Sequence, residues 1–280
     1  MDAQMERILV FRDTMQRINA NPVLLSAINR SREQTQVYPA GNPPALPPHP
    51  GYQTTVSVTP SRSFEAAMRL RKTYPDARIA VHNFASATNP GGGVEHGAGA
   101  QEECLCRCST LFPVLKTGTL FEQYYAVHRA QHDTRYTDAC IWSPDIIICK
   151  TDTDHPQPMP QADWCKVDVL TCAAPNLREK PYNQMNPGKG QAVRVSPEEL
   201  LALHQSRARF MLRVLAAQGD DVVVLGAFGC GAFRNDPSVV AACYKEMLTE
   251  FDGYFRHIEF AVYCPPKYPE NYEIFRKVLG

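Results

Sequence analysis

Two adjacent carboxylates, Glu102 and Glu103, stand with Gln101 seven residues beyond the triple glycine Gly91-Gly92-Gly93. A carboxyl group that gives up a proton and takes it back is the tool for breaking a glycosidic bond. As the acid it protonates the leaving oxygen; as the carboxylate it activates water at an oxocarbenium-like carbon. One glutamate can do both in turn. Two successive helical residues point about 100° apart and cannot flank one bond from opposite sides, so the pair does not read as two catalytic carboxylates. The glycines before them carry no side chains, which lets a flat or charged ligand approach the peptide N–H groups directly. A plainer reading has the two acids complementing a helix N-terminus, with Glu103 pairing to Arg107 one turn on.

A second glycine loop, Gly226-Ala227-Phe228-Gly229-Cys230-Gly231-Ala232-Phe233, follows the apolar run Asp221 to Gly226. It precedes a helix marked by Asp236 as N-cap and Pro237 at its first position. Successive N–H groups around Gly229 and Gly231, with the positive end of a helix, make a concavity suited to phosphate. A tight strand-to-helix connection without a ligand would use the same residues. Neither common nucleotide fingerprint is present: there is no Gly-x-x-x-x-Gly-Lys-Ser/Thr, and no Gly-x-Gly-x-x-Gly set between strand and helix in the first loop.

The elements that must position these loops are legible from periodicity. Ile8, Leu9, Phe11, Met15 and Ile18, then Val23, Leu24, Leu25 and Ile28, predict a helical N-terminal extension, and Tyr38 to Pro50 is a proline-rich extended spacer. Residues 1–50 are thus expected to form the extension and 51–280 the main domain. Strands are expected at Thr54–Thr59, Arg78–Asn83, Ile141–Lys150, Lys166–Ala173, Asp221–Gly226 and Ile258–Tyr263. Helices are expected at Ser63–Lys72, Pro197–Ala217, Asp236–Phe251 and Tyr268–Leu279. The alternation is that of an α/β sheet covered on both faces.

Composition narrows the partners. Lys plus Arg and Asp plus Glu are 29 each, so no global electrostatic footprint for nucleic acid or an acidic membrane exists, and any anion must be held locally. Ten cysteines include Cys149, Cys172, Cys230 and Cys264 in apolar, strand-like runs, the setting of free thiols in a reducing compartment. Met1 to Arg17 lacks an apolar signal core, and no run of about 18 apolar residues occurs. The expectation is a soluble, cytoplasmic monomer with no membrane partner.

Asn89-Pro90-Gly91-Gly92-Gly93 followed by Gln101-Glu102-Glu103 resembles the signature of the macrodomain-type poly(ADP-ribose) glycohydrolases. Asn83-Phe84-Ala85-Ser86-Ala87, Val169 to Asn176, and Gly226 to Phe233 with Asn235-Asp236-Pro237 are similar to its microbial branch, and the likeness runs from about Thr54 to the C-terminus. The resemblance implies a macrodomain-like three-layer α/β/α sandwich with a mixed sheet and an ADP-ribose cleft at the strand ends. It implies Glu103 as the catalytic acid and base, Glu102 on a ribose hydroxyl, and Gln101, Phe84, Asn89, Gly91, Gly92 and Gly93 as further substrate contacts. On the second loop it implies Gly229, Cys230, Gly231, Ala232 and Phe233, with the Phe233 ring against adenine or ribose. A nearby diphosphate, the neighbouring Glu102 and partial burial would all favour the acid form of Glu103.

No cofactor and no metal is expected. Cys104, Cys106 and Cys108 invite a zinc site with His96, His128 or His132, but three-fold coordination would require a broken helix. His82 reads as a core or cleft-wall histidine, and Asn183 to Gln191 as a surface loop that either covers the cleft or stays clear of it. The expected partners are ADP-ribose, poly(ADP-ribose) or ADP-ribosylated macromolecules. The reactions left open are hydrolysis of chain linkages, removal of single ADP-ribose units from protein or nucleic acid, and binding without cleavage.

Overall fold

The computed structural model describes residues 2–184, 186–189, 191–265, 267 and 269–280. Asp2 caps α1 (Ala3–Ala20), and Asn21 caps α2 (Pro22–Gln34) with Pro22 at the first turn, where a missing N–H costs nothing. Strand β1 (Gln36–Tyr38) and an extended proline segment follow. Strand β2 (Thr55–Thr59), helix α3 (Ser63–Thr73), strand β3 (Ile79–Phe84) and helix α4 (Gln101–Cys108) carry the chain through the first glycine loop. Helices α5 (Leu111–Leu115) and α6 (Gly118–Leu120) come next, and a π-helical turn at Phe121–Tyr125 runs into α7 (Ala126–Gln131). The remainder is β4 (Cys140–Ile148), β5 (Cys165–Cys172), α8 (Pro197–Gln218), β6 (Val222–Leu225), α9 (Pro237–Glu250), β7 (His257–Ala261) and α10 (Glu270–Leu279). The predicted start of the last helix at Tyr268 lies outside the described residues.

The strands form one seven-stranded sheet in the order β1-β4-β5-β3-β6-β7-β2. Five of them, β2, β3, β5, β6 and β7, are parallel, while β4 and β1 add an antiparallel edge. Side chains alternate across the central strands. Ile79 and Val81 of β3, with Val222 and Val224 of β6, face a core shared with Phe64, Leu70 and Leu105 of α3 and α4. Ala80, Val223 and Leu225 face the opposite core, built on Phe210, Met211 and Leu215 of α8, Val240 of α9 and Phe275 of α10. Burying each large aliphatic side chain contributes about 1.5–3 kcal/mol, so a one-residue slip in register would forfeit both cores at once. The result is the expected three-layer arrangement.

The N-terminal residues are built into this body. Ile18 and Leu24 join the first core, and the Phe11 ring meets Phe112 edge-on at 4.9 Å. Thr14 Oγ1 donates to the Arg107 carbonyl at the end of α4 at 2.6 Å, and β1 closes the sheet edge. The proline segment lies against the other layer: Leu46 packs on the second core, Arg213 Nε donates to the Pro44 carbonyl at 3.2 Å, and the His49 ring meets Tyr254 at 4.7 Å. Among the described residues, no helix is long and apolar enough to cross a membrane.

Candidate active site

All five parallel strands end at the same edge, where their outgoing loops leave a cavity of about 820 Å³. Its wall takes Ser61 to Ser63 after β2, Phe84 and Ser86 around the end of β3, Ala174 after β5, the second glycine loop after β6, and Val262 and Tyr263 after β7. Ligand sites of open α/β sheets sit at this carboxyl edge because the loops there diverge. Glu103, Glu102, Gln101, Phe84, Gly92, Gly93, Gly229, Gly231, Ala232 and Phe233 all line the cavity, whereas Asn89, Gly91 and Cys230 do not.

In the first loop the acids and the glycines hold one another. Gln101 Oε1 accepts the Phe84 N–H at 2.9 Å, and its amide nitrogen donates to the His82 carbonyl at 2.8 Å, so α4 is pinned to the end of β3. Glu102 turns to the backbone: Oε2 accepts the Ser86 N–H at 2.7 Å, and Oε1 accepts the Gly91 N–H at 3.2 Å and the Asn83 amide at 3.4 Å. Glu103, one step around the helix, accepts the Gly93 N–H on Oε1 at 2.9 Å, while its buried Oε2 has no partner among the described residues. Asn89 Nδ2 donates to the Gly92 carbonyl and closes the turn. The glycines are therefore needed for the approach of the carboxylates. Gly92 lies at φ +58°, and a Cβ there would overlap Glu103 Oε1 and sit 3.1 Å from Glu102 Oε2.

Charge follows from this packing. Burial, and then the charge of Glu103, push the Glu102 carboxyl well above the usual carboxylate range, against the N–H donors of Ser86, Asn83 and Gly91 that favour its anion. No hydrogen bond joins Glu103 to Arg107. That guanidinium donates to the Ala98 carbonyl at 2.7 Å and to Cys104 Sγ at 3.1 Å. Cys106 and Cys108 are buried in the first core, where desolvation raises their thiols, and Cys104 lines the cavity. All ten cysteines are free thiols. His82 is buried behind the cavity wall, edge-on to Phe84 at 5.0 Å and Phe228 at 4.4 Å, and burial drives its pKa down to about 3, which keeps it neutral. Glu95 turns outward to Lys116, at 2.7 Å.

The second loop is arranged the other way. Asn235 Nδ2 donates to the carbonyls of Pro175 at 2.7 Å, Gly229 at 3.2 Å and Phe233 at 3.2 Å, and its own N–H donates to Gly229 O at 3.0 Å. These bonds turn the loop's carbonyls toward Asn235. Among the described residues, the N–H groups of Gly231, Ala232 and Phe233 make no hydrogen bond within the chain, and all three residues line the cavity. His204 of α8 holds Asn235 in turn, Nε2 to Oδ1 at 2.8 Å. Since Oδ1 only accepts, Nε2 carries the proton. Burial lowers the His204 pKa to about 4. The loop therefore offers fixed N–H donors just ahead of the N-terminus of α9, the arrangement that receives anions.

Some contributors carry no sequence signal of their own. Asn235 appears in the motif but its bracing needs His204, 31 residues away. Asn186 Oδ1 accepts from Ser86 Oγ at 3.3 Å and from Thr88 Oγ1, tying the stretch from Asn183 to Gln191 to the first loop. Within that stretch Met185 and Gly190 lie outside the described residues. From the N-terminal helix, Gln4 Nε2 donates to the His96 carbonyl at 2.9 Å and Arg7 Nε to the Gly97 carbonyl at 2.6 Å, so α1 braces the connection leading to Glu103.

Residues 10–151 match the family described as microbial-type PARG, catalytic domain. Poly(ADP-ribose) glycohydrolase from Thermomonospora curvata is 29% identical, with 98% of this chain covering 99% of that one at a TM-score of 0.82. The same enzyme bound to the inhibitor ADP-HPD is matched at 27% identity over 98% and 99% of the two chains, with a TM-score of 0.79. Poly(ADP-ribose) glycohydrolase from Deinococcus radiodurans, in complex with ADP-ribose, is 35% identical over 89% of this chain and 95% of that one, with a TM-score of 0.71. No curated protein matches the chain.

Proposed function

The chain belongs to the microbial-type poly(ADP-ribose) glycohydrolase family, and from that premise we propose that it hydrolyses poly(ADP-ribose) with Glu103 as its single acid and base. The observation that carries the assignment is the asymmetry of the two glutamates. Glu102 spends both oxygens on Ser86, Gly91 and Asn83, whereas Glu103 keeps Oε2 unpartnered at the cavity wall. The Gly93 N–H on Oε1 fixes the carboxyl plane and leaves the buried Oε2, unpartnered among the described residues, as the oxygen to exchange the proton.

The reaction follows from that placement. Protonated Glu103 gives its proton to the glycosidic oxygen as the bond to the ribose anomeric carbon breaks, and the ribose hydroxyl of the shortened chain departs. The Glu103 carboxylate then takes a proton from water as its oxygen joins the anomeric carbon, releasing ADP-ribose and restoring the acid. Glu102 and Gln101 position Glu103 by locking α4 to the first loop, and the open N–H groups of Gly231 to Phe233 receive the diphosphate. Phe233 lies beside them with its ring in the cavity wall.

The test is Glu103→Gln, which keeps the acceptor for Gly93 but cannot exchange the proton. ADP-ribose release from ribose-linked chains should fall by about 10²–10⁴-fold, with ADP-ribose affinity held within about threefold. Turnover surviving in the Gln variant would remove Glu103 from the role.

A further inference from the structure

A diphosphate carries two charges, and the cleft that would take it contains two carboxyl groups. N–H dipoles alone seldom offset a partly buried dianion; a cation is normally supplied beside them. Five basic side chains line the cavity on described residues: Arg7, Arg62, Arg107, His155 and Arg178. The first four already have partners in the chain. Arg62 pairs with Asp154 and His155 with Glu6, while Arg7 and Arg107 donate to backbone carbonyls of the stretch before α4.

Arg178 is differently placed. It lines the cavity together with Gly231, Ala232 and Phe233, and its guanidinium lies 5.6 Å from the centre of the Phe233 ring. Nε donates to Asn176 Oδ1 at 3.1 Å and Nη2 to the Pro181 carbonyl at 2.9 Å. Among the described residues it has no carboxylate partner, and Nη1 donates to none of them. The guanidinium is thus oriented by neutral acceptors, keeps its full charge for a ligand, and stands against the ring that ends the open N–H loop.

We infer that Arg178 is a substrate-binding residue, the cation that neutralises the diphosphate held by the loop from Gly231 to Phe233. The inference rests on the reading of that loop as the phosphate site. A planar, permanently charged fork held by two neutral acceptors suits a diphosphate better than a mobile ammonium would.

The experiment is calorimetric titration of the full chain with ADP-ribose, ADP and adenosine, for wild type, Arg178→Gln and Arg178→Lys. In the Gln variant ADP-ribose and ADP should each lose about tenfold or more in affinity by the same factor, adenosine should be unaffected, and the salt dependence of ADP binding should flatten. The Lys variant should recover part of the loss. Equal losses for ADP and adenosine, or an unchanged ADP affinity in a Gln variant that melts like wild type, would overturn the role. Wild type binding ADP no better than adenosine would instead overturn the phosphate loop itself, while Glu103→Gln continues to test the chemistry separately.

Discussion

The two glycine loops look alike in sequence and do opposite things with their backbone. The first spends its N–H groups inward: Gly91 on Glu102, Gly93 on Glu103, and Gly92 on the Asn89 carbonyl. Among the described residues, the second leaves the N–H groups of Gly231, Ala232 and Phe233 without an acceptor, because Asn235 collects its carbonyls. One loop is a mould for the two carboxylates and the other leaves its donors toward the cavity. The difference teaches that a run of glycines marks a close approach without saying what approaches. In the first loop it is the protein's own acids.

The comparison can be broken experimentally, starting where the expected effect is largest. Gly92→Ala puts a Cβ onto Glu103 Oε1 at a position with φ +58°, so the carboxyl must move. Turnover should drop by about 10²-fold, the usual consequence of displacing a reacting group by an ångström, while ADP-ribose affinity changes far less. Steady-state rates alongside calorimetry would show the split, and a rise in the dissociation constant that matched the rate loss would mean the first loop binds rather than moulds. Asn235→Ala should act on the other side of the comparison. It removes the side-chain donor from the Pro175, Gly229 and Phe233 carbonyls and leaves only the backbone N–H groups of residues 235 and 177 on the last two, so the Michaelis constant should rise about tenfold with a milder change in kcat, and stability should fall by roughly 1–3 kcal/mol.

A smaller effect at neutral pH grows on acidification. Burial holds His204 and His128 down at about 4 and His82 at about 3, whereas the unfolded chain protonates them near 6.5. Their folded pKa values lie below the unfolded ones, so the stability they support is complete above about pH 6.5 and is lost as pH falls toward 4 and then 3. Thermal melts of His204→Gln, which keeps a donor for Asn235, should show a shallower acid limb than wild type; an unchanged limb would remove His204 as its source. The smallest effect belongs to Gly231→Ala. No atom of the chain lies within 4 Å of a Cβ there, and its φ is ordinary, so stability should stay within about 0.5 kcal/mol. A large loss would show that the second loop is as tightly moulded as the first.

Much of this molecule is legible in its sequence. The β-branched runs at Val222 to Leu225 and Ile79 to Val81 declare buried central strands, and Asp236 with Pro237 declares the start of α9, because local propensity and burial agree there. Strand β1 escapes notice because three residues of mixed polarity form a strand only when β4 offers them an edge. The N-terminal helices are visible as helices, but nothing in their periodicity says that Gln4 and Arg7 hold the chain before Glu103. Arg178 is similarly silent, since a lone arginine after Ala-Ala-Pro-Asn has no pattern to mark it.

By itself the sequence determined the chemistry in stock: two carboxylates behind a triple glycine, a second bare loop between strand and helix, and a balanced charge that obliges any anion to be bound locally. Those properties are set by residue type and near spacing. The tertiary structure decided how the stock is used. Which glutamate keeps a free oxygen depends on Ser86, Asn83 and the two glycine N–H groups arriving around α4, and which loop keeps its donors free depends on Asn235 being held by His204 from a different helix. Hydrogen bonds act over about 3 Å between atoms that chain order leaves far apart, so only the packed sheet could assign them.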